Sequence, residues 1–388
     1  MKIQQIELRN FRNYEELQLQ PHEGINLFYG RNGSGKTNLL EAVHYCALGK
    51  SHRINNDQNA VRIGTEAASC SVRVQSKRVR SEIQVRLQPG ESSRKTIYID
   101  HTKIHRFSEL MGKLRCVLFS PEDLGMIRGG PALRRRFLDM MISQLSPGYF
   151  IALQQYRTAM DQRNAILRTC RMNSTRPDSM IEDFERAMAE NAVPILTERS
   201  RIGSMLGEKA LETYRRISGR EEEEFRIQYR SQLMHFTDVK EDMMRALRES
   251  REEDQRTGQS SCGPHRDDLG LTLNQKDMKL FASQGQVRTA ALSIRLSQLK
   301  VIEKNAEDTP VLLLDDVMSE LDKVRRMNLL DEIGSTQTFI TFSDESDLES
   351  YQNNRTYYVS VLDQKGIVQE MKHGSESEAL PLRDPDFT

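Results

Sequence analysis

Along the first 130 residues the apolar positions recur every second residue. Cys70, Val72 and Val74 alternate with polar neighbours, as do Ile83, Val85 and Leu87, and then Ile97 and Ile99. That period predicts antiparallel strands with one wet face. Ile3, Leu8, Leu17 and Leu19 lie in short segments that suit an edge hairpin, and residues 24–29 read as a short buried strand. A second apolar run, Val117-Leu118-Phe119, stops at Ser120-Pro121.

Near Pro131 the period becomes helical. Pro131 suits a first helical position, and Leu133, Phe137, Met140, Met141 and Leu145 follow on one side. A second helix, after Pro147-Gly148, carries Phe150, Leu153, Tyr156, Met160 and Leu167. A third starts after Pro177-Asp178 with Ile181, Phe184 and Met188, and Pro194 is expected to break or kink it. Another runs through Met205, Leu206, Leu211, Tyr214 and Ile217 to Gly219. The Glu221–Glu224 run reads as solvated surface or a helix start, and Phe225, Ile227 and Tyr229 as one strand. Strand and turn chemistry returns after residues 251–263, and residues 374–388 lack periodicity, which predicts a disordered tail. The expected plan is an α/β nucleotide-binding domain in two parts, 1–130 and 256–373, split by a mostly helical insertion at 131–255.

Composition narrows this picture. Lys+Arg and Asp+Glu both number 56, so the chain carries no net charge, and any nucleic-acid surface must be local. The five cysteines contain no C-x-x-C pair, which fits reduced, mostly buried thiols in a cytosol. No apolar run reaches membrane-spanning length, and the start does not read as a signal peptide.

The chemistry centres on Gly30-Arg31-Asn32-Gly33-Ser34-Gly35-Lys36-Thr37, which satisfies the P-loop pattern at every defined position, between a strand and a helix. Glycines let backbone N–H groups curl around phosphate oxygens, and the helix N-terminus adds positive potential. Lys36 is expected to reach the β- and γ-phosphates of ATP, and Thr37 to ligand Mg²⁺. In Val311-Leu312-Leu313-Leu314-Asp315-Asp316, a buried strand ends in two acids. Asp315 is placed to hold Mg²⁺, and Asp316 to polarise the attacking water. Ser283-Gln284-Gly285-Gln286 precedes a helix over 287–300, either as an ordinary cap or as a second anion site. One γ-phosphate does not need two such loops from one chain. On the second reading the loop therefore closes on the nucleotide of a second subunit.

Together these segments, with Ser319-Glu320-Leu321-Asp322 after the acidic strand, resemble the ATP-binding-cassette ATPases. Six runs occur in order: LRNFRNY (8–14), the P-loop, FSPEDL (119–124), RRRFLD (134–139), GPHRDDL (263–269) and SQGQ (283–286). That set resembles the RecF family of bacterial recombination and replication-repair ATPases, over roughly residues 1–345. The resemblance implies an ABC-type head with a helical second domain, related to chromosome-structural ATPase heads. It implies a cytoplasmic, weak, DNA-stimulated ATPase that dimerises on ATP and acts at single-strand/duplex junctions. It further implies work with RecR and RecO to help load RecA on gaps, serving gap repair and the SOS response, and it adds Arg12 to the nucleotide contacts.

The chain departs from the cassette pattern at three points. The catalytic Glu is replaced by Asp316, which predicts slow turnover. The switch His is missing from residues 338–343, where Thr341 or Ser343 could take part of its role. No glutamine stands near residues 120–123. A transporter motor would need that His, a chromosome-structural head would need long heptad arms, and a scaffold would not need an intact Lys36, Thr37 and Asp315. For DNA, Lys77, Arg78 and Arg80 form one local cluster and Arg134, Arg135 and Arg136 another, suited to sequence-independent phosphate contact. Arg134 and Arg135 could instead serve the nucleotide or a dimer interface. His265 lacks partners at metal-ligand spacing, so a structural or switch role beside Arg266 and Asp267 is expected.

Overall fold

The computed structural model describes residues 1–54, 56–77, 79–88, 94–175, 179–233, 238–343, 357–363 and 366–373. The expected tail at 374–388, the helix start at Pro177-Asp178, and Arg78 lie outside them. The chain forms two compact units, one of residues 1–105, 114–121 and 308–388, the other of 106–113 and 122–307.

The first unit holds two six-stranded sheets. One is antiparallel, built from β1 (Lys2–Phe11), β2 (Tyr14–Leu19), β4 (Ala68–Gln75), β5 (Arg80–Gln88), β6 (Arg94–Ile99) and β7 (Thr102–Lys103) in the order β2-β1-β4-β5-β6-β7. The alternation read from the sequence is its register: Cys70, Val72 and Val74 are buried and stand opposite Val85, Ile83 and Ser81. The other sheet comprises β3 (Ile25–Tyr29), β8 (Cys116–Phe119), β12 (Val311–Leu314), β13 (Thr338–Phe342), β14 (Tyr357–Asp363) and β15 (Gly366–His373), in the order β15-β14-β3-β13-β12-β8. From β14 to β8 neighbours run parallel, and β15 closes one edge antiparallel. Every residue of β8, β12 and β13 is buried, as parallel strands covered on both faces require. Helix α1 (Lys36–Leu48) follows β3, and α10 (Lys323–Ile333) connects β12 to β13.

The second unit is helical around a three-stranded antiparallel sheet. Its helices are α2 (Leu124–Arg128), α3 (Pro131–Leu145), α4 (Pro147–Asn173), α5 (Met180–Ser218), α6 (Val239–Glu249), α7 (Arg251–Thr257), α8 (Met278–Phe281) and α9 (Gln284–Ala306). Its strands are β9 (Phe225–Arg230), β10 (Asp268–Leu273) and β11 (Lys276–Asp277), ordered β11-β10-β9. The sequence texture put residues 256–307 with the nucleotide-binding half. Packing puts them here, because α9 lies along α5 and β10 pairs with β9.

Two local expectations change. The helix does not end at Pro194: α5 runs unbroken for 39 residues. Its buried positions, among them Ile181, Met188, Ala192, Ile195, Ile202, Leu206 and Ile217, continue on both sides of the proline. Packing of that face on α4 and α9 outweighs the roughly 3 kcal/mol that an interior proline costs. The Glu221–Glu224 run is not all surface either. Glu223 is buried, accepting hydrogen bonds from Tyr214 Oη at 2.7 Å and Gln286 Nε2 at 3.0 Å.

All five cysteines are free thiols and four are buried, with Cys46 and Cys70 in contact at 3.7 Å. Among the described residues no helix is long and apolar enough to cross a membrane.

Candidate nucleotide site

The P-loop runs from the end of β3 into α1. Gly33 and Gly35 take positive φ, +86° and +107°, a region that side-chain-bearing residues seldom occupy. A Cβ at Gly30 would lie 2.5 Å from the Leu362 carbonyl oxygen, and one at Gly35 would lie 2.7 Å from Tyr14 and Asn13. Both glycines are therefore required by close approach.

Three features make the loop fit for an anion. The first turn of α1 has no side-chain cap, so its N–H groups point into the loop unserved by any cap. Ser34 Oγ is buried with no hydrogen-bond partner among the described residues. Lys36, itself buried, folds back so that Nζ donates to the carbonyls of Gly30 (2.5 Å) and Arg31 (3.0 Å). Burial is the main cause of its lowered pKa, opposed by the charges of Asp316 and Asp315. A phosphate group would satisfy all three features. Arg31 and Asn32 are exposed on the loop crest.

The acids stand beside it. Sheet order places β13 between β3 and β12, and a hydroxyl from each side converges on Asp315. Thr37 Oγ1 donates to Asp315 Oδ1 at 2.8 Å, and Thr341 Oγ1 donates to the same oxygen at 2.8 Å. Burial raises the Asp315 pKa, which the two hydroxyls and Arg53 partly offset and neighbouring Asp316 reinforces. A carboxylate held against its desolvation, with a threonine hydroxyl beside it, suits a hard divalent cation. Asp316 has φ +52°, a strained setting that turns the chain sharply after β12. Its N–H donates to Thr341 Oγ1 at 2.9 Å, and Ser319 Oγ donates to its backbone carbonyl at 3.0 Å.

Several functional neighbours were not legible in the sequence. Asn13 bonds the Ser34 carbonyl (3.2 Å) and accepts from Asn38 (2.7 Å), tying the β1–β2 turn to the P-loop. Glu41, fully buried on α1, receives Ser51 Oγ and the fork of Arg12 at 2.7 and 2.9 Å. Arg12, expected at the nucleotide, thus spends its fork on α1 and its last nitrogen on the Asn59 carbonyl. Nothing in the spacing marks Glu41 as different from an ordinary helix-surface glutamate.

The signature segment belongs to the second unit. Ser283 and Gln284 are exposed, and Gly285 is half-buried. Ser283 accepts from the Gln286 N–H, and Gln286 Oε1 accepts from the Ser283 N–H, a complete capping box. Gln286 is therefore committed to the cap and to Glu223, which leaves Ser283, Gln284 and Gly285 as the accessible positions. Arg128 braces this segment from α2, donating to the carbonyls of Lys279 (3.1 Å) and Ala282 (2.8 Å). Asp322, in the run after the acidic strand, caps α10 through Arg325 N–H.

The basic clusters are corrected by burial. Arg134 is not a surface cation: its fork grips Asp268 at 2.8 and 2.9 Å, and its remaining nitrogen bonds the Met126 and Gly129 carbonyls. Helix spacing alone cannot tell which of three adjacent arginines turns inward, so the sequence left Arg134 open between a phosphate contact and a nucleotide or dimer interface. Arg135 is half-buried on the Asp267 carbonyl (2.6 Å), while Arg136, Lys77 and Arg80 are exposed. His265 is held by Tyr156 at Nδ1 (2.7 Å) and the Ser260 carbonyl at Nε2 (2.9 Å), a structural placement.

Known proteins share this architecture. The family model described as RecF/RecN/SMC N terminal domain matches residues 2–366. The DNA replication and repair protein RecF of Clostridium novyi (strain NT) is 36% identical over 351 residues, covering 90% of this chain and 95% of its own. A solved structure described as the recombination mediator protein RecF-ATP in the RecFOR pathway superposes with a TM-score of 0.84 at 30% identity, covering 96% of this chain and 98% of that one. An Smc head bound to the C-winged helix domain of ScpA shares the fold at 12% identity and a TM-score of 0.56, covering 97% of this chain and 98% of that one. With identity at this level spread along nearly the whole length of both sequences, the chain belongs to the RecF family of DNA replication and repair proteins.

Proposed function

We propose that this chain is an ATP-binding switch of DNA repair, a slow ABC-type ATPase whose principal output is an ATP-dependent homodimer. The observation that carries this reading is the Thr37–Asp315 hydrogen bond, which joins a P-loop with an open anion cradle to a buried carboxylate. Lys36, the α1 N-terminus and residues 30–35 would hold the phosphates. Thr37 and Asp315 would hold Mg²⁺, which when bound neutralises phosphate charge. Asp316 would orient the attacking water. Its short side chain and the strained turn that carries it support slow turnover.

Ser283, Gln284 and Gly285 would complete the site in trans on a second subunit. The exposed Lys77, Arg80 and Arg136 are the remaining candidates for contact with DNA phosphates. Membership of the family supports action on gapped DNA at single-strand/duplex junctions in the cytoplasm, stimulation of ATPase activity by DNA, work with RecR and RecO in loading RecA, and a part in SOS induction.

Light scattering with and without ATP tests the reading. Wild type should pass from monomer to dimer on ATP. Ser283→Arg should bind ATP and remain monomeric, while Asp316→Asn should give a longer-lived dimer. A Ser283→Arg protein that still dimerises refutes action in trans. Collapse of ATP binding in Asp316→Asn would make Asp316 the primary metal ligand.

A further inference from the structure

Two of the runs that carry the family resemblance, RRRFLD and GPHRDDL, take no part in the P-loop site. In the second unit they meet at a cavity of about 340 Å³. Arg135, Arg136 and Asp139 come from one run and His265 from the other, and Arg157 and Asp161 on α4 and Arg199 on α5 add to its polar wall. The volume lies in the small-ligand range.

The charges do not cancel. Arg199 is buried and already matched, to Asp139 at 2.8 Å and Asp267 at 3.1 Å. Arg157 reaches Asp139 at 3.2 Å but is 59% exposed, so most of its fork is free. Arg135 meets only a backbone carbonyl and makes no ion pair among the described residues, and Arg136 has no partner among them. Among the described residues lining the pocket, Asp161, exposed on α4, is an opposing carboxylate without a partner. Burial and the nearby Arg199 charge lower the Arg135 pKa, and Asp268, Asp267 and Asp139 offset this only in part. His265, pushed down to about 4 by burial, adds no charge near neutrality.

We propose that this pocket is a second phosphate site, taking a phosphate monoester through Arg135, Arg136 and Arg157. Planar guanidinium forks match phosphate oxygens in pairs, and a dianion suits three convergent arginines better than a single carboxylate would. The ester could be a free nucleotide or the terminal phosphate of a nucleic-acid strand. The inference does not rest on the P-loop reading.

The test uses the full chain with one equivalent of ADP, enough to fill the P-loop without saturating a second site. Inorganic phosphate and dTMP are titrated by calorimetry, and a labelled single strand, with or without a 5′-phosphate, by anisotropy. Wild type should bind dTMP saturably. Arg136→Ala and Arg157→Ala should each weaken it about tenfold, as loss of a charged hydrogen bond does. Asp161→Asn should tighten it, a gain that general damage to the fold cannot produce. ADP affinity should not change in any variant. Preference for the 5′-phosphorylated strand identifies strand ends as the source, whereas dTMP binding without that preference identifies a free ester. The proposal is overturned by an absence of saturable binding, by variants that titrate like wild type, or by strands that bind regardless of the terminal phosphate while dTMP and inorganic phosphate do not bind.

Discussion

Replacing Thr341 with Val should destabilise the first unit by about 2.5–6 kcal/mol. Thr341 is 1% exposed, and Val has nearly its shape, so no cavity is opened. What disappears is one hydroxyl with two duties. The Asp316 N–H loses its acceptor, which costs about 1–3 kcal/mol, and Asp315, 6% exposed, loses a charged hydrogen bond of about 1.5–3 kcal/mol. Thr341→Ser keeps the hydroxyl and should lose only about 1 kcal/mol for the buried methyl. The sign of the pH dependence follows from Asp315. Its folded pKa is raised above the ordinary value of about 3.9, so the native state holds the proton more tightly than the unfolded chain does. Asp315 therefore lowers stability as pH rises through that window, and stability returns on acidification. Thr341→Val removes one of the groups that hold this pKa down. Its deficit should accordingly be larger at pH 8 than at pH 5. Urea unfolding of wild type, Thr341→Val and Thr341→Ser at both pH values measures this. A Val deficit below about 1 kcal/mol, or one equal to that of Ser, would refute the clamp.

Lys36→Arg should abolish turnover and ATP-driven dimerisation, because a fork cannot occupy the buried space of a compact ammonium. ATPase assays and light scattering check this, and wild-type rates would contradict the assignment. Arg134→Ala should cost about 3 kcal/mol by leaving Asp268 without its fork, while Arg136→Ala should cost less than about 0.5 kcal/mol. Thermal melts of the two variants, compared with their affinity for gapped DNA over a salt series, separate the buried arginine from the surface one.

Local features were legible without coordinates. The period-2 segments became β4, β5 and β6, and the P-loop glycines announced their own turn, because strand alternation and positive φ are properties of a few neighbouring residues. The buried run at 311–314 likewise identified β12, and its terminal acids marked the carboxyl edge. Tertiary structure decided which distant groups meet. Thr37 and Asp315 are 278 positions apart and touch because the sheet order brings β12 within one strand of β3. Thr341, named in the sequence with Ser343 only as a partial stand-in for the switch His, becomes a clamp on both acids because β13 lies beside β12, a pairing that no spacing rule gives. Arg134 turned inward because Asp268, 134 residues away, sits on β10 opposite α3. The same logic kept α5 whole through Pro194, since an apolar face packed along both halves outweighs one lost backbone hydrogen bond. Sequence periodicity specifies which face of an element is apolar. The partner of that face, and the polar groups buried with it, depend on the order in which strands and helices assemble.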